Sequence, residues 1–396
     1  MAPSITKKYE EGETTGFNPK LHFTLTDIDT PVANAIRRTV LSDIPVVCIR
    51  TDIKEEDEDR KCKIDTNTSR FHNEIVKQRL SCIPVFVNDP EFVKKHIIEV
   101  EMQNTTESML YVTTEHFKIK DKQSDKYLDQ DEVRKIFPPN EKTQMYIDFV
   151  RLRPGIGATI PGEQIKLSAS FSVCTAKVNG MYNAVSICSY CNTVDDVKAS
   201  EQWDILQKKH EADKKSSEEI QFEKKNFYTL QAYRYFHTNN QGEPNSFDFL
   251  VQSIGIYENT AIVHKACTIL MNKFADLLKN MEADTVMIYD SMKTKEHKLS
   301  VIESHVEHSY DIVLEDEDYT VGCVLEKILY DMFYIGSVKP LMTFVGFKKY
   351  HPHDSYSIVR VAYKEAPEKI LIKTNVIDAC KQAYEIFEKI KGMFKA

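Results

Sequence analysis

The sequence predicts an α+β protein in which strands with one buried face and amphipathic helices are both extensive. Three observations lead there. Residues 22–50 read as strand, helix, strand. Residues 97–174 alternate apolar and polar side chains between turn signals, and apolar residues return at helical spacing across 262–277, 321–333 and 376–394.

The first stretch sets the pattern. Phe23 and Leu25 alternate with polar neighbours, as a strand with one buried face requires, and the run breaks at Asp27. Thr30 is the expected N-cap, and Pro31 suits the first helical turn, where its missing N–H leaves nothing unpaired. Val32, Ile36 and Val40 fall at i, i+4 and i+8 with Ala33 beside them, giving one apolar stripe to bury. Arg37 and Arg38 lie about 100° apart around the helix, so they cannot both follow that stripe. Pro45 ends the helix, and Val46, Val47 and Ile49 resume a strand.

Before this stretch, residues 1–17 are polar and are expected as a mobile lead-in. After it, the charge run 54–63 is expected as a solvated loop. Strands are expected at Ile97, Ile98, Val100 and Met102, at Met109, Tyr111 and Val112, and at Phe117 and Ile119. Residues 146–151 and 165–174 continue the β-rich stretch, with Pro154, Gly155, Gly157, Pro161 and Gly162 turning between them. Residues 199–225 are charged and helix-friendly, which suits a surface helix or tether. Phe247, Phe249 and Val251 then alternate as a strand, and Ile262, Val263, Ala266, Ile269, Leu270, Phe274 and Leu277 repeat at helical spacing. From residue 298 the alternation of Leu299, Val301 and Val306, followed by Tyr310, Ile312 and Leu314, predicts a hairpin. Val321, Val324, Leu325, Ile328, Leu329, Met332 and Phe333 form a wide apolar helix face, and a final helix over 375–394 repeats Val376, Cys380, Ala383, Phe387, Ile390 and Phe394.

Composition bounds the function. A chain of 396 residues has room for two or three domains, and 42% hydrophobic with 28% charged residues is ordinary globular composition. No run approaches the roughly 18 apolar residues of a membrane span, and residues 1–13 lack the apolar core of a signal peptide. A soluble, intracellular protein with no membrane role is expected. Nine cysteines, odd in number and irregularly spaced, point to reduced thiols rather than a disulfide framework. With 60 acidic against 52 basic residues, the net charge of −8 argues against holding DNA through general electrostatics. Contact with DNA is expected only indirectly, through partners.

Motifs of chemistry are sparse. The sequence holds no Gly-rich phosphate loop, no HExxH and no GxSxG, so no catalytic residue and no cofactor is expected. The best metal candidate is the pair Cys188 and Cys191 with Cys174 upstream, which keeps a redox or metal-dependent enzyme as the alternative reading. One CxxC falls short of four ligands, and within a strand residues three apart face opposite sides, so structural thiols are preferred and no metal ligand is assigned. His351 and His353 flank Pro352 in the manner of a ligand pair, while Glu55 and Glu56 lie in a charge run with no apolar pocket to tune them.

Particular strings go further than periodicity. DxxxANAxRRxxLSDIP, beginning at Asp29 within 22–50, closely resembles the signature of the alpha-type subunits of DNA-dependent RNA polymerases, in the form of the third subunit of the eukaryotic nuclear enzyme. NEIVKQRLSCIP over 73–84 is similar to a second family element, with Glu74, Arg79, Leu80, Ile83 and Pro84 at matching places. Residues 151–170 resemble the family's turn and strand, and 246–278 its return to the dimerisation domain. Further on, DEDYTVGCVLEKILYDMF resembles the DHTlGNlL motif of the smaller, eleventh subunit: Asp318, Thr320, Val321, Gly322 and Leu325 match, whereas Tyr319 and Cys323 depart from it. His351 and Pro352 match that family's HP turn.

The resemblance implies two alpha-type dimerisation domains fused in one chain. The first is discontinuous, 18–52 with 246–281; a β-rich domain, 53–245, is inserted; 282–297 link to a smaller dimerisation domain, 298–396. It implies a non-catalytic assembly platform that binds the second-largest and then the largest polymerase subunit beside small assembly subunits, with no homo-oligomer. Asn34, Arg37, Arg38, Glu74 and Arg79 would meet partner subunits, and Val32, Ile36, Val40, Leu325, Ile328, Leu329 and Phe387 would form the intramolecular dimer. Many family members carry a zinc-binding cysteine cluster after the element ending at Pro84, but 84–111 holds no cysteine, so that metal is not carried over. Fusion of this kind is known from large nucleocytoplasmic DNA viruses, which implies the virion and infected-cell cytoplasm, or the nucleus for a cellular chain.

Overall fold

A computed structural model describes residues 3–11, 19–51, 62–157, 159–292, 304–336 and 341–395. In chain order, β1 (Ser4–Glu11) and β2 (Lys20–Thr26) lead into α1 (Thr30–Ser42) and the short β3 (Val46–Cys48). There follow β4 (Cys62–Asn67), α2 (Asn73–Ser81), α3 (Phe92–Lys95), β5 (His96–Gln103), β6 (Leu110–Thr113), β7 (Lys118–Asp121), α4 (Gln130–Ile136), β8 (Asp148–Leu152), β9 (Gln164–Ser170) and β10 (Ser172–Cys174). The chain returns through β11 (Val185–Asn192), α5 (Asp196–Ala212), α6 (Ser217–Asn226), β12 (Ser246–Ser253) and α7 (Asn259–Glu282). The remainder is β13 (Ile288–Asp290), β14 (Ser309–Glu315), α8 (Tyr319–Leu329) with a wider π-type turn over Tyr330–Ile335, β15 (Met342–Lys348), β16 (Tyr356–Tyr363) and α9 (Lys369–Gly392). Helices and antiparallel sheets are both extensive, so the fold class is α+β.

Two four-stranded sheets carry the same plan. The first runs β1-β2-β12-β11 and the second β13-β14-β16-β15, every pairing antiparallel. Register repeats as well as order. Phe23 lies opposite Phe249 as Ile312 lies opposite Val359, and Val251 opposite Cys188 as Val361 opposite Val345. Each sheet has a short helix after its second strand and a 24-residue helix, α7 or α9, after its last strand in the chain. At both strand–helix corners an aspartate takes a left-handed turn, Asp27 at φ 58° and Asp316 at φ 55°, a conformation that a short polar side chain tolerates.

The helical layers of the two sheets meet in a single core. Leu21, Phe23, Leu25, Val32, Ile36, Val40, Phe249, Phe274, Leu325, Ile328, Leu329, Val359 and Phe387 are all buried in it. Burial of an apolar helix face is what fixes these helices, because propensity alone leaves short helices marginal. α1 packs against α8 and α7 runs broadly along α9, with the Phe274 and Phe387 rings stacked 5.9 Å apart. Gly322 lets the Phe347 side chain lie directly on α8, where any Cβ would collide with the ring.

A second core belongs to residues 47–171 and includes Val76, Leu80, Ile98, Val100, Phe149, Leu167 and Phe171. Its sheet runs β4-β9-β5-β7, with two-stranded ribbons β6-β8 and β10-β3 beside it. The charged residues expected as a surface helix or tether fold into two helices, α5 and α6, around Ala199, Trp203, Phe227 and Ala232, a small core of their own.

Several expectations give way. The supposed polar lead-in contains β1, an edge strand paired along β2 whose charged side chains protect an exposed edge. Asp29, not Thr30, is the N-cap of α1, which places Thr30 and Pro31 inside the first turn. Within the expected linker, β13 pairs with β14, so the hairpin partner of 310–314 comes from 288–290 and Val306 lies outside any strand. Leu299, Val301 and most of the 54–63 charge run lie outside the described residues, although Cys62 and Lys63 open β4. Among the described residues no helix is long and apolar enough to cross a membrane.

Candidate functional site

The seam between the two sheet-and-helix units is built from side chains of α1, α7, α8 and α9. Val32, Ile36 and Val40 on α1, Leu325, Ile328 and Leu329 on α8 and Phe387 on α9 are buried together.

Ion pairs cross this core. The Arg38 Nη2 donates to Asp318 Oδ2 at 2.7 Å, and its Nε donates to Thr320 Oγ1 at 2.9 Å. Asp318 is the N-cap of α8 and accepts from the Thr320 amide at 2.9 Å. Burial alone would raise its carboxyl, but the Thr320 hydrogen bonds and the Arg38 charge hold it below the ordinary carboxylate value. Arg38 therefore does not project outward to a partner as expected; the partner that captures it lies 280 residues away. Lys273 of α7 joins Asp43, at the end of α1, to Glu317, before α8, at 3.2 Å each. Burial would lower the Lys273 ammonium, yet the two carboxylates carry it above its ordinary value. Burial raises Glu317, and Lys273 only partly offsets it. Lys327 of α8 donates to Glu243 at 2.7 Å and to Asp331 at 2.9 Å. Close by, burial pushes the Asp29 carboxyl up to about 6, opposed by the Lys327 charge.

The other expected partner residues divide. Arg37 donates to Asn34 Oδ1 at 2.9 and 3.1 Å, a half-exposed pair on the face of α1 beside β11, where its charge reaches Cys188 and Tyr190. Glu74 is exposed on α2. Arg79, also expected to meet a partner, instead donates to the backbone carbonyls of Phe149 at 2.7 Å and Asp148 at 3.0 Å, clamping α2 to β8. The planar fork of a guanidinium suits two adjacent carbonyls, and that geometry could not be read from the spacing of 73–84.

Sequence reasoning missed Lys273, Asp43, Glu317, Asp29, Glu243 and Lys327. A signal was present: Asp27, Asp29 and Arg38 recur 289 positions later as Asp316, Asp318 and Lys327.

The thiols bear on the enzyme alternative. In β11, Cys188 is buried and Cys191 exposed, the divergence expected of a strand. Burial pushes the Cys188 thiol up to about 12, as it does Cys267 and Cys380, far from the thiolate needed for nucleophilic or metal chemistry. Among the described residues no group of three or more His, Cys, Asp or Glu is arranged to hold a metal.

A stretch of 73 residues is 36% identical to the Dictyostelium discoideum protein described as DNA-directed RNA polymerases I and III subunit rpac1; it covers 18% of this chain and 18% of that protein. The family described as RNA polymerase Rpb3/Rpb11 dimerisation domain matches residues 22–274, more than half of the chain and a span that includes α1, β12 and most of α7. The chain belongs to the RNA polymerase Rpb3/Rpb11 dimerisation domain family.

Proposed function

We propose that this chain is a non-catalytic assembly subunit of a multisubunit DNA-directed RNA polymerase, carrying two alpha-type dimerisation units fused on one polypeptide. One observation carries the reading: strand order and register repeat between 4–253 and 288–363, and the two copies close over one core. Each unit alone would expose a large apolar helix face, and joining them replaces a bimolecular encounter with an intramolecular one. The β-rich core of 47–171 hangs from the first unit as an inserted domain.

In this reading the paired units form a platform that takes the second-largest subunit, then the largest, beside small assembly subunits, and needs no second copy of itself. The partner face is Asn34 and Arg37 on α1 with Glu74 on α2, side chains left at the surface while Arg38 and Arg79 serve the fold. DNA is met only through the complex, in keeping with the net charge of −8. We infer from the fused layout a viral origin, among the large nucleocytoplasmic DNA viruses, with the virion and infected-cell cytoplasm as location; a cellular chain would act in the nucleus.

The test is a mass-spectrometric census of what the tagged chain purifies with from its native source. Two very large subunits in near-equal amount are expected, and Arg37→Ala with Glu74→Lys should reduce their recovery while leaving the chain folded. Recovery of the chain alone, or with unrelated enzymes, overturns the proposal.

A further inference from the structure

The two units superpose in sequence register, so every cross-seam contact has a counterpart. An offset of 289 carries Asp29 to Asp318, Arg38 to Lys327, Ile28 to Glu317 and Asp43 to Met332; an offset of 110 carries the last strand and long helix of the first unit onto those of the second, Phe249 to Val359 and Lys273 to Ala383. A pairing of like with like would be isologous, each residue meeting its own counterpart's partner.

Seen this way the ionic contacts fall into two kinds. Both units carry an acid at the helix N-cap and a base nine residues on: Arg38 reaches Asp318, and Lys327 lies within the field of Asp29. Unlike or like pairing would satisfy that contact equally, so it attracts without discriminating. The Lys273, Asp43 and Glu317 cluster is different. Its counterpart at the other end of the seam is Ala383, Met332 and Ile28, which is wholly apolar, with Ala383 and Ile28 fully buried.

We propose that the Lys273–Asp43–Glu317 cluster is a specificity lock that makes the seam accept only unlike units, so that the first unit pairs with the second and neither pairs with a second copy of itself. Two second units face to face would press Glu317 against Met332 and Ala383, leaving a largely buried carboxylate without a cation at both ends. Two first units would set Lys273 against Ile28 and lose Glu317 at both ends. Breaking a buried pair by removing one partner costs far more than the pair contributes, and such costs against wrong partners are how specificity is built. Fusion then has an accurate target within its own chain, and like units of neighbouring copies do not pair. The inference rests on reading the halves as dimerisation units, but its test involves no polymerase subunit, so either can fail alone.

The test starts from the full chain with a protease site inserted within 283–287, between α7 and β13, so that each fragment keeps its whole sheet. After cleavage the two fragments are unfolded together in urea, refolded and weighed by native mass spectrometry. The natural sequence should return only the unlike pair. Glu317→Ile, which gives the second unit the residue of the first, should raise the share of second-unit homodimers by about tenfold or more. Homodimers as abundant as the unlike pair in the natural sequence, or no change in Glu317→Ile, overturns the lock. If the fragments do not refold, the uncut chain still decides the matter through a double-mutant cycle. Lys273→Met and Glu317→Gln should together shift the unfolding equilibrium by several-fold less than the product of their separate effects, whereas a simple product overturns the coupling.

Discussion

Leu329→Ala tests whether the two units share one core. Leu329 is fully buried at the end of α8, amid side chains from both halves. Three carbons removed from it forfeit about 2.4 kcal/mol of transfer free energy at roughly 0.8 kcal/mol each. α8 is held by α1, α7 and α9 together, so the space left behind closes incompletely. A cavity term brings the expected loss to about 3–4 kcal/mol, within the usual span for such truncations. Native-state hydrogen exchange read by mass spectrometry reports the two cores separately, which makes it the suitable assay. Amides of α1, α7, α8 and α9 should exchange together, roughly a hundredfold to a thousandfold faster than in the natural chain. Those of β5 and β9, which belong to the other core, should keep their protection. Protection lost across 304–395 while α1 and α7 stay unchanged would refute the shared core.

Two further outcomes follow from the charged groups. Arg37→Ala should leave the urea midpoint within error, whereas Arg38→Ala should lower stability by about 1 kcal/mol and show coupling to Asp318→Asn, since only Arg38 spans the seam; equal effects of the two alanines would count against this. Asp29 has a folded pKa near 6 against an ordinary 3.8, so the folded chain holds that proton more tightly than the unfolded one. Its contribution is complete below about pH 4 and is lost as pH rises through about 6. Asp29→Asn should therefore change little at pH 4 and stabilise at pH 7.5 by no more than about 3 kcal/mol, read from urea curves at both values; destabilisation at pH 7.5 would show that the carboxylate is wanted there in its charged form.

What could be read from the sequence was what repeats locally. Val32, Ile36 and Val40 announce a buried helix face because a helix brings every third or fourth residue round to one side, and Leu325 and Leu329 do the same. β1 escaped because an exposed edge strand has no buried face to alternate, and Lys7, Lys8, Glu10 and Glu11 carry the composition of a disordered tail. β13 escaped because three residues are too few for any period. The role of Arg38 depends on a carboxylate 280 residues away, and no local pattern contains a partner at that distance. Arg37, one position earlier with the same chemistry, keeps to its own helix through Asn34. The second unit's acid at 317 was visible as a letter, but its meaning came only from its counterpart, Ile28, being apolar.

The Phe394 and Phe23 rings meet in a T-shaped contact, and Lys8 donates to the Met393 carbonyl while its ammonium lies over Phe394. During synthesis this closes the structure last. β2 leaves the ribosome more than 200 residues before its neighbour β12, and Phe394, which closes on Phe23 of β2, follows α9. Until then the nascent chain presents an uncovered apolar surface beside an unpaired strand, the state in which chains aggregate or pair with neighbours on the same message. The residues of 47–171, whose core draws on a contiguous stretch, can fold while the ribosome is still translating, and in doing so they keep the two parts of the first sheet, otherwise far apart in sequence, anchored near one another through the β3–β10 ribbon.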